Sequence, residues 1–88
     1  MKVNLNFDLL DLDGNTILNS NAGKLVANSL VQQAKGDPLK FWEWALALNK
    51  GESLDLDTSD SEIFKNFVKD SENFPIIAKA QIIKALNN

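Results

Sequence analysis

From Val3 onward the apolar residues fall at every second position. Val3, Leu5, Phe7 and Leu9 alternate with Lys2, Asn4, Asn6 and Asp8, the pattern of a strand with one buried face. Leu10, Asp11 and Leu12 shift the phase, which marks a bulge or the strand's end. Asp13-Gly14 then suits a type I′ hairpin turn, and Asn15 to Leu18 can return as a second strand. Residues 2–18 are therefore expected to form a hairpin. Two strands alone are marginal in water, so it must lean on helices.

The period changes after the Asn19-Ser20-Asn21 cluster, which offers several helix caps. Ala22, Val26, Leu30 and Ala34 make one helical stripe, widened by Leu25, Ala27 and Val31, and Gly36 can close that helix in the left-handed conformation. Asp37 can cap the next helix, Pro38 suits its first position and Gly51 its stop, so residues 38–50 should form about three and a half turns. At 100° per residue its apolar side chains cover more than half the circumference, leaving mainly Lys40 and Glu43 as a polar ridge. A helix that apolar either lies centrally or shows an apolar patch to a partner.

Leu54 and Leu56 alternate with Asp55 and Asp57, the pattern of a short edge strand or of an extended loop that inserts two leucines into the core. Ser59-Asp60-Ser61-Glu62 fits a capping box for a helix buried along Ile63, Phe64, Phe67 and Val68. Ser71 to Pro75 interrupts it. A last helix follows, lined by Ile76, Ile77, Ala80, Ile83 and Leu86, with Lys79 and Lys84 outside. The expected fold is α+β: one domain over residues 1–88, an N-terminal β-hairpin and four short helices packed around the aromatic helix 38–50.

Composition narrows the chemistry. At 88 residues there is room for one modest core. Histidine, cysteine and tyrosine are all absent, which removes the commonest general base, thiolate nucleophiles and the usual nitrogen and sulfur metal ligands. An enzyme is not expected, and no catalytic residue, metal or cofactor is assigned. Nine lysines with no arginine against twelve acids leave a net charge of −3, which disfavours direct nucleic-acid binding and favours a basic protein partner. The N-terminus lacks the apolar run of a signal peptide and Ala45 to Leu48 is far too short to span a membrane, so a cytoplasmic protein without membrane contact is expected.

Two stretches imitate calcium loops. In Asp11-Leu-Asp13-Gly14-Asn15 the sixth position is Thr16 and the twelfth Ala22, where such loops need glycine and a bidentate glutamate. Asp55 to Asp60 fails in the same way, with Asn66 at the twelfth place. The five acids Glu52, Asp55, Asp57, Asp60 and Glu62, uninterrupted by lysine, have two readings. One is a solvated loop entering a helix whose first turn favours acids; the other is an acidic face for a basic groove. Trp42 and Trp44 stand two positions apart, so they point about 200° from each other. Trp42 is expected inside and Trp44 partly exposed, as an anchor for a partner.

The runs Asn21 to Asn28, Gly36 to Ala45, Leu54 to Asp60 and Lys79 to Lys84 together resemble a group of small proteins encoded by tailed phages and prophages. That resemblance implies a phage origin. It implies action by occupying a surface of a larger machine, in the manner of anti-CRISPR proteins or, alternatively, of virion-assembly chaperones and structural accessories. The leading expectation is a non-enzymatic inhibitor of a host defence nuclease in the host cytoplasm, contacting a protein or ribonucleoprotein with a basic groove through Trp44, Glu52, Asp55, Asp57, Asp60 and Glu62. A third reading, a small nucleic-acid-associated regulator, would set Lys65, Lys69, Lys79 and Lys84 on one surface. Oligomeric state stays open.

Overall fold

A computed structural model describes residues 1–86. In chain order the elements are β1 (Lys2–Val3), β2 (Asp8–Leu10), β3 (Thr16–Asn21), α1 (Ala22–Val31), α2 (Pro38–Asn49), β4 (Leu54–Asp55), α3 (Thr58–Asp70) and α4 (Ile76–Leu86). The fold is α+β as expected, with a hairpin near the N-terminus, four helices and a buried aromatic cluster.

The alternating N-terminal stretch keeps its buried side but not its continuity. Val3, Leu5 and Leu9 are buried, yet the strand is split. β1 pairs antiparallel with β4, matching Lys2 to Asp55 and Val3 to Leu54, whereas β2 pairs with β3. Between them the carbonyls of Leu5 and Phe7 accept the N–H groups of Gly23 and Ala22, each at 2.8 Å. Those are first-turn donors that a helix cannot satisfy internally. The expected hairpin over residues 2–18 is thus confined to residues 8–21, because the middle of its first strand closes the start of α1.

The hairpin turn also differs from type I′, which needs positive φ at both central residues. Only Gly14 is left-handed there, at φ 87°. The Gly14 N–H donates to the Asp11 carbonyl, and the Asp11 carboxylate accepts the N–H groups of Asp13 and Asn15. This is a type I turn followed by a left-handed glycine. β3 is irregular because Asp8 faces Asn21 while Leu10 faces Thr16. The buried Ser20 hydroxyl staples that bulge, accepting from the Leu9 N–H and donating to the Ile17 carbonyl.

α1 opens with Asn21 accepting the Lys24 N–H and stops at Val31, short of the expected Gly36. Gly36 serves the next turn instead. It sits at φ 111°, and a Cβ there would lie 2.7 Å from the Phe41 ring. α2 matches its expected caps: Asp37 accepts the Lys40 N–H, Pro38 is in the first turn, and Gly51 follows the C-cap at φ 81°. Leu54 and Leu56 are both buried, and the short strand reading applies.

Asp57 rather than Ser59 caps α3, accepting the Asp60 N–H at 2.7 Å. In α4 the buried stripe is Ala78, Ile82 and Leu86, so the expected stripe is corrected: Ile76 is 84% exposed and Ala80 also faces solvent. The i, i+4, i+8 positions face α3 and β2 once Pro75 has set where the helix begins, its carbonyl accepting from Ala78 and Lys79. Gln81 on the same helix finishes the edge of β2. Its carboxamide accepts the Leu10 N–H and donates to the Leu10 carbonyl, both at 2.8 Å, as a neighbouring strand would.

Candidate functional site

The two tryptophans of α2 are placed the opposite way to the expectation. Trp44 is 7% exposed and Trp42 is 54% exposed. The Trp44 ring stacks on Phe41 with centroids 5.5 Å apart and meets Phe64 of α3 edge-on at 5.5 Å. Phe67 continues the cluster, edge-on to Phe41 at 5.7 Å and to Phe74 at 6.5 Å. α3 brings two phenylalanines to the Trp44 side, and that side becomes the interior. Trp44, expected as a partner contact, is therefore a core residue.

Turning Trp44 inward turns a different set outward. Leu39 is 77% exposed and Leu46 42% exposed, and with Trp42 they form a stripe at i, i+3 and i+7 along the outer face of α2. Val31 at the end of α1 is also exposed and lines a hollow of about 180 Å³ with Trp42 and Leu46. The excess of apolar positions in residues 38–50 was the sequence signal for this face. It did not reveal which side would be outside.

The acidic segment divides. Asp57 is the cap of α3, and Asp60 bonds Lys40 of α2 at 2.7 Å, tying the two helices together. That hydrogen bond, with the negative charges of Asp60, Asp37 and Asp57 nearby, raises the Lys40 pKa above the usual lysine value against a smaller opposing effect of desolvation. Asp55 stands opposite Lys2 on the paired strand. Glu52, Asp55 and Glu62 are exposed. Two of the five expected contact acids are thus already engaged within the fold, as cap and dipole energetics lead one to expect.

Of the four lysines suggested as a nucleic-acid surface, Lys79 donates to the Lys69 carbonyl at 3.0 Å, which joins α4 to the end of α3. Lys84 lies five residues beyond Lys79, well round the α4 axis. Among the described residues no group of three or more acidic side chains is disposed to hold a metal ion, and no helix is long and apolar enough to cross a membrane. Compared with known proteins, the chain matches no family model, no curated protein and no solved structure.

Proposed function

We propose that this chain works by contact alone, as a binding protein that covers a surface of a larger protein or ribonucleoprotein. The contact is the outer face of α2. What supports this reading is the Leu39, Trp42 and Leu46 stripe, which leaves apolar area in water on the helix that otherwise supplies the core. Tryptophan is enriched at the energetic centres of interfaces, and a rigid helix presents it with little ordering cost.

The finer proposal is a phage-encoded, non-enzymatic inhibitor of a host defence nuclease, acting in the host cytoplasm. Exposed Glu52, Asp55 and Glu62, with the net charge of −3, favour its approach to a basic groove. Affinity capture from host lysate, with the intact chain and with Trp42→Ala, tests both levels. A nuclease or its RNA complex should be retained by the former and lost by the latter. Recovery of head or tail subunits alone would move the assignment to virion assembly, and equal capture by both chains would remove α2 as the contact.

A further inference from the structure

We infer that a second site, the cleft between α1 and the turn at residues 73–75, binds an extended, uncharged peptide segment. The cleft measures about 440 Å³, within the range of ligand sites. Its floor is apolar, made by Leu9, Leu25, Phe74 and Ala78. Its rim carries the carboxamides of Asn28, Gln32 and Asn73, and the lining contains no ionisable group. A charged occupant would lose hydration with no counter-ion to replace it, and a phosphate backbone would find no cation.

The spacing of the carboxamides selects a peptide. Asn28 on α1 and Gln32 at its C-cap, still in right-handed helical conformation, are four residues apart, hence roughly 6 Å apart on one face. An extended chain repeats every two residues, about 6.6 Å, so successive peptide groups on one edge meet successive carboxamides. Each carboxamide carries both a donor and an acceptor, as a peptide group does. Gln81 already shows this pairing inside the fold, gripping the backbone of Leu10 through both its oxygen and its nitrogen. Asn73 is held in place by its own bond to the buried Ser29 hydroxyl at 3.2 Å. Side chains on one face of the peptide would rest on Leu25 and Phe74.

Trp42 lines no part of this cleft, and Asn28 is the one residue that borders both the cleft and the hollow beside Trp42.

Panning a displayed library of random linear heptapeptides against the intact chain tests the inference. Enrichment of uncharged sequences with apolar residues at alternate positions is expected, and the enriched peptide should shift the side-chain amide resonances of Asn28 and Gln32. Asn28→Ala with Gln32→Ala should weaken that peptide about 10-fold or more, the loss of two neutral amide pairs. Should the double change lower the melting temperature, the near-isosteric Gln32→Glu supplies the comparison, and it too should weaken binding. Trp42→Ala should bind the peptide as the unaltered chain does. Failure to enrich any peptide, enrichment of charged motifs, or undiminished binding by the carboxamide variants would overturn the site. Loss of binding in Trp42→Ala would overturn it as well.

Discussion

Trp42 and Trp44 differ in sequence position by two and in environment by the whole thickness of a helix. Trp44 is enclosed by Phe41 and Phe64, so Trp44→Ala should cost roughly 3 to 5 kcal/mol, measurable by urea denaturation. That is a large share of what so small a domain possesses, and the variant is expected to be partly unfolded at 37 °C. Trp42→Ala should cost about 1 to 2 kcal/mol, less than Trp44→Ala, since roughly half of that side chain is in water. Ser61 gives a prediction of the opposite sign. Its hydroxyl is buried on α3 without a hydrogen-bond partner among the described residues, so Ser61→Ala should raise the melting temperature, by about 1 kcal/mol in stability, through better helix propensity and removal of the unsatisfied group. The exposed and buried indoles were not distinguishable from their spacing, because 200° of separation says only that they face apart.

At the scale of elements, the helices were more legible than the strands. Asp37-Pro38 and Gly51 bracket α2 through local chemistry that operates in almost any context, and its bounds follow from it. β1 and β2 depend on remote partners: residues 54 and 55 for the one, residues 16 and 21 for the other, and Gln81 for the free edge of β2. Gln81→Ala should therefore leave the Leu10 N–H and carbonyl without that partner and cost about 1 kcal/mol. Faster hydrogen exchange at Leu10, with α2 amides unchanged, would confirm that the loss is local. Gln81→Glu retains the acceptor but not the donor, so it should recover only part of the protection.

For the molecule as a whole, the Lys40 to Asp60 bridge is the polar tie between α2 and α3, and its pH response can be assigned a sign. Its folded pKa lies above the unfolded value, so the stabilisation is complete below the ordinary lysine range and disappears as pH rises through the raised pKa. Thermal melts of the intact chain should fall across that alkaline window more steeply than those of Lys40→Met. High salt should shrink the difference, because the pair is partly exposed. The amino-acid order by itself determined the α+β class, the caps of α2, the buried parity of Val3, Leu5 and Leu9, and the poverty of catalytic side chains. These are local or compositional properties, settled within a few residues or by counting. Only the tertiary structure decided which indole faces out, where the first strand breaks, which acids are engaged and which carboxamides border one cleft. Each of those depends on residues brought together from distant parts of the chain, and an apolar pattern specifies that a side must be covered without specifying by what.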